Sequence, residues 1–143
     1  MNAITVKSEI RWADIDANFH VLHSKYYDFC ADARMKALTT AGISMQLIQQ
    51  YGVGPVLLRE EAVFKRELKF GDAIEIRIFL QKATDDFSRW SFVNEIWKNN
   101  DTLAAVVTVD GAWMDVNKRK LVTPPEQFQS VFKEFPRLQN DAE

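Results

Sequence analysis

The chain has 143 residues, 47% of them hydrophobic and 12% aromatic, with a formal net charge of -2. That is one domain's length and enough to bury a core, so a single domain over residues 1–143 is expected. The charge balance gives no general electrostatic reason to bind nucleic acid or an anionic membrane, and no apolar run approaches the ~20 residues that a membrane-spanning helix needs. A lone cysteine, Cys30, cannot form an intrachain disulfide, and no basic-plus-apolar signal segment opens the sequence. Both observations predict a cytoplasmic protein.

Val6, Ser8, Ile10 and Trp12 alternate with Lys7, Glu9 and Arg11, which predicts a first strand ending near Asp14. The period then changes. Tyr26, Cys30, Ala33, Ala37 and Ala41 follow helical spacing, with Lys25, Asp28, Asp32 and Lys36 mostly on the other side, the mark of an amphipathic helix with a slim apolar face. Ser24 is the expected N-cap, Asp28 favours the dipole in the first turn, and Gly42 terminates the helix. A short second helix is expected from about 44 to 51, ended by Gly52-Val53-Gly54-Pro55.

Four strands are predicted next, over 56–70, 73–82, 89–98 and 102–114. Gly71-Asp72, Asp85-Asp86 and Asn99-Asn100-Asp101 separate them as turns short enough for hairpins, so an antiparallel meander is expected. Ile74, Ile76, Ile78 and Leu80 share one face. The nearly continuous apolar run 103–109 predicts a central strand covered on both sides. Thr123-Pro124-Pro125-Glu126 has the form of a capping box opening a helix through about 133, with a loose tail from about 136. One long helix and five strands in this order give an α+β class, a curved antiparallel sheet wrapped around the helix. Trp90, Phe92, Trp97 and Trp113 supply more aromatic surface than one monomer needs, which predicts a homo-oligomer, at minimum a dimer.

The polar connection before the long helix holds Asp16, Asn18, His20 and His23 at close spacing. A carboxylate there can attack a carbonyl or activate water. The unpaired amides of the helix start, near Leu22, His23 and Ser24, sit at the positive end of the dipole and suit a carbonyl oxygen that gains charge. On the residues alone Asp16 also reads as a turn carboxylate, Asn18 as the holder of an Asx-type turn, and the two histidines as packing or hydrogen-bonding groups. Tyr26 and Tyr27 read as core or pocket wall. Asp16, His20 and His23 form no H-E-x-x-H motif and no cysteine pair supports zinc, so no metal is expected.

The string Arg11-Trp12-x-Asp14-x-Asp16-x-Asn18-x-His20-Val21, followed by Tyr26 and Ala33-Arg34, resembles the hotdog-fold acyl-CoA thioesterases of the 4-hydroxybenzoyl-CoA thioesterase type. Gly54-Pro55-Val56 before Arg59, and Phe70-Gly71-Asp72, resemble later marks of that family, so the likeness spans nearly the whole chain. The resemblance implies the hotdog fold and hydrolysis of an acyl-CoA or acyl-ACP thioester. It implies Asp16 as the catalytic carboxylate and the His23 amide as oxyanion donor, with His20 a further catalytic candidate. Asn18, Phe19, Tyr26 and Arg59 are the implied substrate-binding residues. No cofactor is implied beyond the CoA that is part of the substrate, and the implied assembly is a homodimer or tetramer. Arg59, Lys65, Arg66 and Lys69, on or near the second strand, read either as contacts for the CoA phosphates, from the same or a neighbouring subunit, or as part of a solvated charged strand with Glu60, Glu61 and Glu67. Three departures stand out: Phe19 where many members carry Gly, Leu22-His23 where many carry Asn-Asn, and Ala31 where an acidic residue is common. Two rival activities fit the same fold: an enoyl-CoA hydratase, whose Asp-x-Asn-x-x-His spacing His20 misses by one residue, and a non-catalytic acyl-CoA-binding protein.

Overall fold

The computed structural model describes residues 3–138. The elements run β1 (Ile4–Glu9), a 3₁₀ turn (Trp12–Asp14), α1 (His23–Ala41), α2 (Met45–Tyr51), β2 (Val53–Phe64), β3 (Ala73–Ala83), β4 (Arg89–Lys98), β5 (Thr102–Asp115), β6 (Lys120–Leu121) and α3 (Glu126–Lys133). The strands make one antiparallel sheet in the order β1-β3-β4-β5-β2, with β6 paired to β5.

The alternation predicted along β3 decides which face is covered. Ile76 pairs with Ile96 and Leu80 with Phe92, and Phe92 pairs with Val109 and Asn94 with Val107, so these residues line one side of the sheet. α1 lies on that side. Its Tyr26, Cys30, Ala33 and Ala37 are buried, and three of these four side chains are small enough to let the helix axis approach the strands. Each large aliphatic side chain buried in this layer contributes about 1.5–3 kcal/mol. Gly42 closes α1 at φ 118°, a left-handed conformation that glycine adopts freely, with its amide donating to the Leu38 and Thr39 carbonyls. Ser44 caps α2, its Oγ accepting from the Leu47 amide at 3.2 Å.

Several sequence expectations need correction. β1 ends at Glu9 rather than near Asp14, because Arg11 and Asp14 lock the 3₁₀ turn. The Asp14 carboxylate accepts from the Arg11 amide at 2.9 Å and from its Nη2 at 2.8 Å. Burial pushes the Asp14 carboxyl up, but the bonds from the Arg11 side chain and amide and the guanidinium charge together leave it below the usual range. Ser24 is not the N-cap: Leu22 occupies that position, and no side chain caps α1. Thr123 does not cap α3 either, since its Oγ1 donates to Asp86 Oδ2 at 2.7 Å and Pro125 is the cap residue.

The meander holds only for β3, β4 and β5. β2 begins earlier and ends earlier than expected and pairs with β5, from Val53↔Asp115 to Phe64↔Ala105. Gly71 and Asp72 therefore join strands that are not neighbours and form no hairpin. Pro55, which has no N–H, is accommodated within β2 because that strand is an edge. β5 lies between β4 and β2, in the sheet interior as its apolar run implied.

The aromatic residues also fall differently. α3 lies on the same side as α1 and brings Phe128 within 5.1 Å of Trp113 and Phe132 within 5.6 Å of Phe92 and 5.9 Å of Trp90, measured between ring centroids. Three of the four rings expected to drive association are thus packed inside the chain. Only Trp97 sits on the opposite face, under the Arg77 guanidinium at 4.2 Å. Residues 136–138 are not loose, because Leu80 donates to the Pro136 carbonyl at 2.8 Å and accepts from the Leu138 amide at 3.0 Å. The remainder of the expected tail lies outside the described residues.

Gly111 is the tightest point of the sheet. A Cβ there would stand 2.3 Å from the Trp90 indole and 2.7 Å from the Val56 carbonyl. Gly111→Ala is expected to cost ~3 kcal/mol through this overpacking, read as a lower urea midpoint at unchanged slope.

Candidate active site

The connection ahead of α1 folds as a small ribbon. Ile15 bridges Val21, and Asp16 donates its amide to the His20 carbonyl at 2.9 Å. Asp16 and His20 are the next opposed pair, so their side chains leave the same face of the ribbon while Val21 points into the core. The ribbon is docked by the Val21 amide on the Leu68 carbonyl and by the Leu22 amide on the Asp14 carbonyl, both at 2.9 Å.

Asp16 is half-buried. Its Oδ1 accepts from the amides of Asn18 at 2.8 Å and His20 at 3.2 Å, while Oδ2 accepts no hydrogen bond among the described residues. An Asx-type turn is therefore present, but its carboxylate belongs to Asp16 and not to Asn18, which contributes a backbone N–H and stands exposed at the tip. Phe19 is 69% exposed and takes φ 65°. This is the left-handed region where glycine is at ease, so Phe19 holds the turn at a conformational cost of about 1 kcal/mol.

At the mouth of α1, the Leu22 amide is already spent on Asp14. The His23 and Ser24 amides have no acceptor among the described residues, and with no side-chain cap they are free donors at the positive end of a 19-residue helix. The His23 imidazole itself is exposed.

His20 Nε2 lies 2.6 Å from Glu67 Oε2. Glu67 belongs to an open cleft of about 340 Å³ whose other walls are Tyr26, Phe64, Lys65 and Arg66. Tyr26 packs edge-on against Phe64 with centroids 4.9 Å apart, and burial pushes its phenol above the usual range. Within one chain Arg59 is not brought to this cleft: it sits on the sheet face away from α1, 3.6 Å from Asp110 and 3.2 Å from Glu61. Asp16, His20 and His23 do not form a metal-holding group among the described residues. Glu67 is the site residue that the sequence did not single out. In the linear chain it is one acid in a mixed-charge run, and only the docking of the ribbon on 67–69 gives it a partner.

The model of the thioesterase-like superfamily matches residues 10–132. The chain belongs to that superfamily. A candidate esterase from Aquifex aeolicus (strain VF5) is 23% identical over 128 residues, 90% of this chain and 96% of the relative. Among solved structures, a hypothetical protein from Staphylococcus aureus in complex with CoA superposes with a TM-score of 0.87 at 19% identity, covering 99% of this chain and 92% of that one. A 1,4-dihydroxy-2-naphthoyl-CoA thioesterase from Synechocystis gives 0.81 at 20% identity, covering 91% and 95%. The curled antiparallel sheet with its helix is the hotdog fold.

Relief of the left-handed strain gives a clean test of the turn. Phe19→Gly is expected to raise stability by ~1 kcal/mol, whereas Phe19→Ala leaves the strain and gives no gain; thermal unfolding of the two variants compares them.

Proposed function

We propose that this superfamily member hydrolyses an acyl-CoA thioester to a free acid and a thiol. The observation that carries this reading is the ribbon that holds Asp16, with one carboxylate oxygen unbonded, on one arm, while its other arm runs into a helix start whose His23 and Ser24 amides have no acceptor among the described residues. The carboxylate attacks the acyl carbon or takes the proton of the water that does, and the His23 amide donates to the oxygen that becomes charged. Lys65 and Arg66 line the adjoining cleft with positive charge suited to the CoA phosphates, Lys69 follows next to it in the backbone bridge with His20, and Arg59 stands further along the β2 edge. The acyl group enters beside Tyr26 and Phe19. A CoA complex of a same-fold protein supports the ligand class; the acyl-ACP alternative calls on the same chemistry.

The site is completed by a second copy. β2 is a 12-residue strand with one edge unpaired among the described residues, and it exposes Leu57, Leu58, Val63 and Phe64. A long apolar edge of this kind pairs with another chain. Two-fold antiparallel pairing sets the cleft end of one β2 beside the Val53 end and α2 of the other. Leu58→Lys with Val63→Lys is expected to turn the dimer into a monomer in sedimentation velocity, with loss of hydrolysis.

Asp16→Asn tests the carboxylate while keeping an acceptor for the turn. It is expected to lower kcat by ~10²–10⁴-fold with an unchanged circular dichroism spectrum. Wild-type thiol release by the purified variant, across a panel of acyl-CoAs of different chain length, would remove Asp16 from the mechanism. The same panel with an enoyl-CoA separates hydrolysis, which frees a thiol, from hydration, which consumes the conjugated double bond.

A further inference from the structure

Asp16 and the helix amides account for attack on the acyl carbon and for the charged oxygen, and leave the departing sulfur without a partner. His20 is placed to supply one. It stands across the ribbon from Asp16, whose amide donates to the His20 carbonyl and whose Oδ1 accepts from the His20 amide, and its Nε2 is held 2.6 Å from Glu67 Oε2. The two side chains are 40% and 64% exposed, and an exposed pair contributes little to stability. Folding therefore gives no strong reason for so short a contact. Its chemical effect is definite. With Nε2 donating to Glu67, the other ring nitrogen is the one left to face outward, and in the imidazolium form that Nδ1 carries a proton. Glu67 is at the same time a wall of the cleft beside Tyr26 and Phe64, with Lys65 and Arg66 next to it and Lys69 bridged to His20 through the backbone.

We propose that His20 protonates the leaving sulfur and that Glu67 is the positioning residue that orients it, an inference that rests on the hydrolase reading above. In the step, Asp16 takes a proton from water and the hydroxide oxygen bonds to the acyl carbon. As the C–S bond breaks, its electron pair stays on sulfur and the Nδ1 proton of His20 joins it. The proton held by Asp16 returns to the neutral imidazole through water, which leaves acid and thiol as products and both side chains as they began.

Leaving-group dependence tests this. Glu67→Ala, Glu67→Asp, His20→Asn and the His20→Asn/Glu67→Ala double variant are assayed on an acyl-CoA and on the same acyl group esterified to a nitrothiophenol, whose thiolate leaves without a proton. The expected result is a kcat loss of ~10-fold for Glu67→Ala on the CoA ester alone, partial recovery in Glu67→Asp, a larger loss of the same pattern in His20→Asn, and a double variant no worse than His20→Asn. Equal losses on both esters, or losses that multiply in the double variant, overturn the assignment and leave the hydrolase reading standing. Failure of the wild type to cleave either ester overturns the hydrolase reading and this inference with it.

Discussion

The ribbon of residues 15–21 is pinned by two backbone hydrogen bonds, Leu22 to Asp14 and Val21 to Leu68, and the site exists because of that pinning. One bond fixes where α1 begins and uses up the first amide of its opening turn. The other lays the ribbon along the segment after β2. Between them they hold a carboxylate, an imidazole and two free helix amides, all within residues 16–24, against a second carboxylate, Glu67, from a distant stretch of chain.

Burial is distributed unevenly, and the asymmetry has consequences. α1 and α3 both pack on one side of the sheet, so the apolar layer beneath them closes within a single chain and accounts for most of the fold's stabilisation. The opposite side carries Arg77 over Trp97 and the Arg59, Asp110 and Ser91 network, a surface that water can solvate. The unsatisfied part is the outer β2 edge, which no strand pairs among the described residues and which exposes Leu57, Leu58, Val63 and one side of Phe64, whose ring otherwise packs on Tyr26. Stability therefore comes from the helices, while the unpaired strand edge ends at Phe64, in the wall of the cleft beside Tyr26.

The ion pairs divide in the same way. Arg11–Asp14 is half buried and locks a turn that the fold needs. His20–Glu67 is exposed, joins residues distant in sequence, and supports no element of secondary structure. A contact of the second kind is explained by what it does to the histidine rather than by what it does for the fold.

The sequence by itself determined the elements and their faces. The period-two run Ile74 to Leu80, the slim stripe from Tyr26 to Ala41, the Gly42 stop and the limits of β4 were legible because short-range periodicity and turn chemistry act over a few residues. The string around Asp16 was legible as a resemblance for the same reason. Tertiary structure decided what the linear pattern could not rank. It sent β2 to the far side of β5 rather than into a meander, and it spent Trp90, Phe92 and Trp113 on α3 instead of a partner. It also tied Thr123 to Asp86 instead of the helix it precedes, and it joined His20 to Glu67. Each of these outcomes pairs groups far apart in sequence, and the choice among such pairings rests on the simultaneous burial of the whole layer, a quantity no local window contains.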